Sequence, residues 1–317
     1  LNMTRAALIP YAIKGWELWN NTEKWLFGGV GTRKVNGLSL AFTEEEEELL
    51  FKRVEARQAM GAPIKFISGR KAQLLEPGLN DSVRSAAWCN KDGFTIAYLT
   101  GHAFRRALKQ ENVSVREYSK VNKIEIEKNY FKIIFENNEH LKAKRIVLAG
   151  GVWLEEMLNW LNVKIKIKCL INQLIITERM PPVMKTVLSI ANGLLSLKQF
   201  DNGTVLIGGG WQGIGDKKRG GVESIPENLI GNMRLACHVI PKLRYGRMVR
   251  VWLGLEAETA DALPIIGKIP GISNAYVIGS VHSGYASGPY MGWLLSQLIM
   301  EQEPEMPLFD PNRLINK

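Results

Sequence analysis

Near its C-terminal end the sequence sets a short apolar run, Ala275-Tyr-Val-Ile278, directly before a stretch of small residues, Gly279-Ser-Val-His-Ser-Gly-Tyr-Ala-Ser-Gly-Pro289. The stretch carries the side chains best equipped for chemistry, His282, Ser283 and Tyr285. The apolar run has the length of a buried strand, Gly279, Gly284 and Gly288 punctuate the loop after it, and from Tyr290 to Met300 the pattern turns helical. Glycine brings no Cβ, so backbone can approach a flat ligand, and a helix N-terminus adds partial positive charge beside it. That arrangement suits a flat ring system carrying negative charge. An imidazole titrates near neutral pH, so His282 is either a working group or an ordinary loop histidine. Ser283 and Tyr285 either touch the ligand or pack beneath it.

A second strand that ends on small residues is Arg145-Ile-Val-Leu-Ala-Gly-Gly-Val-Trp153, leading into a helix at Trp153 to Leu161. Periodicity and turn residues indicate the elements that must position these two segments. Residues 3–26 carry Leu8, Ile9, Tyr11, Ala12, Trp16, Leu18, Trp19 and Trp25 at roughly helical spacing, which predicts an amphipathic helix. Gly28 to Gly37 reads as a loop and Leu38 to Phe42 as a strand. Thr43 followed by Glu44 to Glu48 reads as an N-cap with acidic residues in the first turn, opening a helix that stops near Gly61 and Pro63. Ile64 to Ile67 and Val83 to Trp88 suit the edge of a small mixed domain, and Ile96 to Lys109 is helical. Strands are expected at Val113 to Tyr118, Lys120 to Ile126, Tyr130 to Phe135 and Lys144 to Leu148, separated by turn-prone Lys128-Asn129 and Asn137-Asn138 and reading as a meander. Later strand-like runs are Ile165 to Thr177, Leu194 to Phe200 and Val205 to Ile207, with Pro181-Pro182 as a break.

A chain of 317 residues with 46% hydrophobic content has ample material for a core. The net charge of +10 favours acidic partners or substrates, yet the lysines and arginines are scattered, which argues against nucleic-acid binding. Cys89, Cys169 and Cys237 are odd in number and widely spaced, so they indicate neither a disulfide framework nor a zinc or iron-sulfur centre. His102, His140 and His238 have no ligand-like spacing, and no metal site is expected. No run reaches the ~18 apolar residues of a membrane helix, and a cytoplasmic, reducing setting is the expectation.

Taken in order, Arg250-Val-Trp-Leu-Gly254, Asp261-Ala-Leu-Pro264-Ile-Ile-Gly267, the strand at Ala275, Ser283-Gly284, Pro289 and the final helix resemble the FAD-dependent glycine, sarcosine and D-amino-acid oxidase superfamily. Arg145 to Trp153 resembles the family's strand beside the flavin. Leu195-Ser-Leu-Lys-Gln-Phe200 with Val205-Leu-Ile-Gly-Gly-Gly-Trp211 is most similar to the flavin subunits of opine oxidases and hydrogen cyanide synthases. The resemblance implies a mixed α/β chain: an FAD domain from residues 1–27, 95–158 and 258–317, interleaved with an antiparallel-sheet substrate domain from 28–94 and 159–257. It implies FAD contacts at Val121, Ala149, Gly150, Gly151, Trp153, Gly279, Ser280, Val281, His282, Ser283, Gly284, Tyr285 and Ala286, with His282 and Tyr285 as catalytic candidates. The implied reaction oxidises the C–N bond of a secondary amine, opine or amino acid to an imine; the family has both oxygen-using and electron-relaying members, and the opine-oxidase-like strand pair favours a subunit that passes electrons to a partner.

Two departures matter. Members of the family open on a strand, a Gly-x-Gly-x-x-Gly turn and a helix for the FAD pyrophosphate, and this FAD domain lacks that first βαβ unit. Either the chain is a fragment or another polypeptide supplies the unit, and the alternative function is a truncated, non-catalytic partner subunit. Gly208-Gly-Gly-Trp-Gln-Gly213 fits the spacing, but Gly215 to Gly221 has no helical periodicity, so it reads as a sheet turn; Gly28-Gly-Val-Gly31 reads as a loop. Where related members place a carboxylate-binding arginine this chain has Glu256, and Arg250 serves structure or an acidic substrate. Asp261 is expected to cap a turn, and Trp211 and Trp252 wall the site or fill core.

A reduced flavin carries negative charge at its pyrimidine edge, where the resemblance puts the 279–289 loop, so a protonated His282 adds to the stabilising potential. In an assembled enzyme His282→Ala is expected to slow flavin reduction by amine and shift its pH dependence more than it weakens FAD binding. Tyr285→Phe does less, because it keeps the ring. Anaerobic stopped-flow reduction across pH checks this; a wild-type rate at every pH would make His282 a loop histidine.

Overall fold

Asn20 and Asn21 end the first helix early. Their side-chain amides donate to the carbonyls of Trp16 (2.7 Å) and Glu17 (2.8 Å), which occupies acceptors the next turn would need, so α1 covers Ile9–Trp19 rather than residues 3–26. The strand after it, β1 (Arg33–Ala41), begins inside the expected loop. Thr43 then caps α2 (Glu44–Ala59) as anticipated. Its hydroxyl accepts from the Glu46 N–H at 3.2 Å, and the Glu46 carboxylate accepts from the Phe42 N–H at 2.9 Å, while Glu44 to Glu47 line the first turn. Gly61, at φ +88°, turns the chain out of α2.

The computed structural model describes residues 1–217, 221–279 and 284–315. The remaining elements are β2 (Ile64–Ser68), α3 (Gly69–Leu75), β3 (Ser85–Phe94), α4 (Ala97–Gln110), β4 (Val121–Ile126), β5 (Phe131–Phe135), β6 (His140–Ala143), β7 (Ile146–Leu148) and α5 (Leu154–Trp160). After these come β8 (Lys168–Thr177), β9 (Val187–Ile190), β10 (Ser196–Gln199), β11 (Val205–Gly208), β12 (Ile214–Asp216), β13 (Gly221–Glu223) and α6 (Pro226–Val239). The chain closes with β14 (Met248–Glu258), β15 (Ile265–Lys268), β16 (Ala275–Gly279) and α7 (Gly284–Ile299). Strands β6, β9, β12, β13 and β15 and helix α6 have no counterpart in the sequence reading. The expected strand at Val113 to Tyr118 is absent: Val113, Val115 and Tyr118 are exposed and Tyr118 sits at φ +53°, which no strand accommodates. Among the described residues no helix is long and apolar enough to cross a membrane.

The chain divides into two compact units. The first comprises Leu1–Arg106 and Ile171–Leu255, the second Ala107–Leu170 and Glu256–Lys317. These bounds place residues 1–27 and 95–106 with the first unit, whereas the resemblance groups them with 258–317. The reasons are local: Arg57 of α2 donates through Nε to the Thr4 carbonyl (2.8 Å), the Ile96 N–H donates to the Val30 carbonyl (3.0 Å), and the rings of Trp19 and Trp25 pack edge-on against Phe104.

The first unit is built on an eight-stranded sheet, in the order β14-β8-β11-β10-β9-β1-β3-β2. Antiparallel pairs join β2 to β3, β3 to β1, β9 to β10, β10 to β11 and β11 to β8; β1 and β9 run parallel. The register sets Leu38, Leu188, Leu197, Ile207 and Ile175 in one row across five strands. All five are buried in a core closed by Ala236 and Val239 of α6. Since side chains alternate along a strand, the next row, Lys198, Leu206 and Ile176, stands on the opposite face and is half-buried.

The buried Glu76 carboxylate holds the segment that leads into β9. Its Oε2 accepts from the N–H groups of Lys185 (2.8 Å) and Thr186 (2.9 Å) and from the Thr186 hydroxyl (2.8 Å). Glu76→Ala leaves two buried donors and one half-buried donor without an acceptor, and a loss of about 3 kcal/mol in urea unfolding is expected.

Candidate functional site

In the second unit β16 lies between β15 and β7, antiparallel to the former and parallel to the latter, with Ala275, Tyr276 and Val277 opposite Ile146, Val147 and Leu148. That register ends at Val277 opposite Leu148; Ala149 and Gly150 follow β7 directly, and Ile278 and Gly279 end β16. The two small-residue segments singled out in the sequence therefore leave the sheet side by side, at the C-terminal ends of parallel strands, where open α/β sheets receive ligands. Gly150 and Gly279 allow α5 to come close: a Cβ at either position would press on Met157 or Leu154 respectively. Gly151 differs, for it adopts φ +56° and has no atom within 4 Å of where a Cβ would stand. The backbone is therefore open at Gly151, the one point of the three where a flat group could approach without meeting α5. Trp153 and Tyr285 are half-exposed, Gly284 to Ala286 begin α7, and Val121 opens β4 opposite Phe135. Ser280, Val281, His282 and Ser283 lie outside the described residues.

Asp261 fixes the entry to β15. It accepts from the Leu263 N–H (3.1 Å) and the Thr259 hydroxyl (2.9 Å) and pairs with the Arg313 guanidinium at 2.9 Å. Arg313 also donates to the carbonyls of Leu263, Pro264, Phe309 and Asp310, and the Phe309 carbonyl in turn accepts from the Ile266 N–H at 3.0 Å. The C-terminal segment is thereby stitched along the edge of β15.

In the first unit the sheet face opposite the core carries a cleft of about 690 Å³. Phe94, Phe200, Ile176 and Trp252 line it, with the Phe94 and Phe200 rings edge-to-face at 5.4 Å. Arg33 and Arg250 line it as well; Arg33 is paired with Asp201. Lys198 stands close by, its Nζ 5.7 Å from the centre of the Phe94 ring, and burial pushes its ammonium below the ordinary lysine range. The sequence reading missed Lys198 and Phe94. The signal for Lys198 was a lone cation in the alternating run Leu195-Ser-Leu-Lys-Gln-Phe200. Of the two tryptophans, Trp252 walls the cleft. Trp211 is structural: its Nε1–H donates to the Leu194 carbonyl at 2.7 Å and its ring takes the space that Gly231 leaves. The Gly208 to Gly213 run passes into the β12–β13 hairpin, as the sheet-turn reading requires.

The family described as FAD dependent oxidoreductase, DAO, matches residues 2–298. The chain belongs to the DAO family of FAD-dependent oxidoreductases. An opine oxidase subunit of Rhizobium meliloti is 26% identical over 261 residues, covering 80% of this chain and 67% of the relative. Glycine oxidase of Geobacillus kaustophilus is 22% identical over 294 residues, covering 91% of this chain and 76% of the relative. Among solved structures, L-proline dehydrogenase from P. horikoshii superposes with a TM-score of 0.87 at 24% identity, over 98% of this chain and 83% of that one. Its likeness shows that the fold is shared.

Burial pushes the Asp261 carboxyl up, but its bonds to Arg313, Leu263 and Thr259 together hold it below the ordinary carboxylate range. With a folded pKa below the unfolded one, the stability it contributes is complete above the unfolded value and is lost as pH falls through the folded value. Asp261→Asn is expected to lower stability by about 1 kcal/mol at neutral pH, and the gap to wild type narrows below about pH 4. Thermal unfolding measured from pH 7 to pH 3 checks it.

Proposed function

We propose that the chain is the flavin-bearing part of an oxidoreductase that converts a C–N bond of an amino acid, opine or secondary amine to C=N and passes the electrons to a partner protein. The observation that carries this reading is the parallel pairing of β7 with β16, each followed or ended by a glycine that packs on α5, in a chain of this family. The names of the two relatives, an opine oxidase subunit and a glycine oxidase, support the amine substrate, and the word subunit supports the partner. When bound, FAD supplies the two-electron acceptor. The backbone of Ala149, Gly150, Gly151 and Gly279, with Val121, Trp153 and the run 280–286, would hold it. The remaining work of the protein is to bind, orient and shield the amine. The apolar wall of Phe94, Phe200, Ile176 and Trp252 on the open sheet face provides a surface from which an amine displaces water.

The test is anaerobic mixing of the FAD-loaded protein with glycine, proline and N-carboxyalkyl amino acids while flavin absorbance is followed. At least one such compound is expected to bleach the flavin and to yield a 2-oxo acid or a cyclic imine. Reoxidation is expected to be slow with oxygen and fast with an electron-accepting dye. If no compound with an oxidisable C–N bond bleaches bound flavin, the reading fails.

A further inference from the structure

We infer that the turn before β14 and the first residues of that strand form a surface that docks on a membrane rich in anionic lipid; the inference is independent of the amine-oxidising reading. The cations of the chain are unequally shared between its two units. The first unit holds 26 of the 41 lysines and arginines and 16 of the 31 aspartates and glutamates, so the net charge of +10 is its own. Within it, Pro241 to Arg250 carries Lys242, Arg244, Arg247 and Arg250 and no acidic residue.

The fold adds a further cation and leaves the cluster unneutralised. The 3-10 turn Pro241–Tyr245 leads through Gly246 to the end of β8. There the Glu178 N–H donates to the Arg247 carbonyl (2.8 Å), the Arg247 N–H donates to Glu178 Oε1 (3.0 Å), and a Cβ at Gly246 would press on the Met180 sulfur. Arg179 is thereby held beside the turn. Arg179, Lys242, Arg244 and Arg247 are all exposed, and among the described residues none of the four has an ion pair. The two acidic side chains nearby in the fold are occupied, Glu178 by the Arg247 N–H and Asp201 by Arg33.

The same segment exposes apolar side chains. Tyr245 is 79% exposed, Met248 48% and Val249 61%. Neighbouring strand residues point to opposite faces, so exposure of both Met248 and Val249 means that β14 starts uncovered on either side. Apolar tips among cations match a lipid surface: the cations meet phosphate headgroups, the aliphatic side chains enter the hydrocarbon boundary, and the tyrosine ring rests at headgroup level. Nucleic acid would engage the cations but offers no apolar phase to Met248 and Val249. An acidic protein would need a socket shaped to this protruding turn, whereas fluid hydrocarbon takes any shape.

Co-sedimentation of the full chain, with FAD present, on lipid vesicles tests the assignment. Phosphatidylcholine vesicles containing phosphatidylglycerol are expected to carry the protein down, pure phosphatidylcholine vesicles are not, and salt at about 0.5 M releases most of it. Each cation at an anionic surface contributes about fivefold in partitioning, so Arg244→Gln/Arg247→Gln weakens binding by about tenfold or more. Tyr245→Ser/Met248→Ser keeps every charge and is also expected to weaken binding by about tenfold. Lys52→Gln/Lys71→Gln removes the same charge from α2 and α3, which pack beside β2 at the other edge of the sheet, and leaves binding within about twofold. Thermal unfolding establishes that each variant is folded. The proposal is overturned if phosphatidylglycerol vesicles leave the protein in solution, or if the Lys52/Lys71 variant loses as much binding as the Arg244/Arg247 variant, since net charge alone would then be acting. Binding by the Tyr245/Met248 variant at the wild-type level also overturns it and would assign the patch to an acidic macromolecule instead.

Discussion

One row of five apolar side chains, Leu38, Leu188, Leu197, Ile207 and Ile175, sets the register of the first unit. Strand side chains repeat every two residues, so sliding any of these strands by one position would turn its buried residue outward and bring its outward residue into the core. For β10 that residue is Lys198, and burying an unpaired ammonium in the core costs several kcal/mol. The same constraint that seals the core therefore fixes which side chains reach the other face. The cleft and its cations are a consequence of the packing behind them.

The second unit depends on a different contact. β7 and β16 are short, yet their parallel pairing brings the small residues at both strand ends to the same edge of the sheet. Leu154 and Met157 of α5 close against the two glycines from one side, and Arg313 holds the opposite edge strand through carbonyls on both sides of it. Rigid packing around bare backbone is what a cofactor bound mainly by main-chain groups requires.

Much of this was legible in the sequence where local chemistry decides the outcome. Thr43 with its glutamates declares a helix start because the cap and the first turn lie within four residues, and Asp261 declares a turn for the same reason. The ends of β7 and β16 were legible because glycines come directly after apolar runs. What stayed hidden was tertiary. Val113 to Tyr118 has strand-like residues but no partner strand, and propensity cannot supply one. β9 is brief and almost wholly buried between β10, which follows it directly, and β1, far back along the chain, so it carries no alternating pattern. The grouping of residues 1–27 with the first unit rests on Trp19, Trp25 and Phe104 meeting across some eighty positions, which spacing does not encode. Lys198 had an unusual place in its run, but only the rings around it give that place meaning.

The pairing of β7 with β16 joins segments separated by more than a hundred residues, and the first unit is likewise assembled from pieces on either side of a long insertion. A ribosome delivers such a chain from one end. β7 emerges well before β16, and its edge is unsatisfied until β16 has followed it. Contacts of this sequence separation form slowly, because a long loop must close before any bond rewards it. Joining β7 to β16 is thus a slow step of folding, during which an exposed strand edge needs protection from its neighbours.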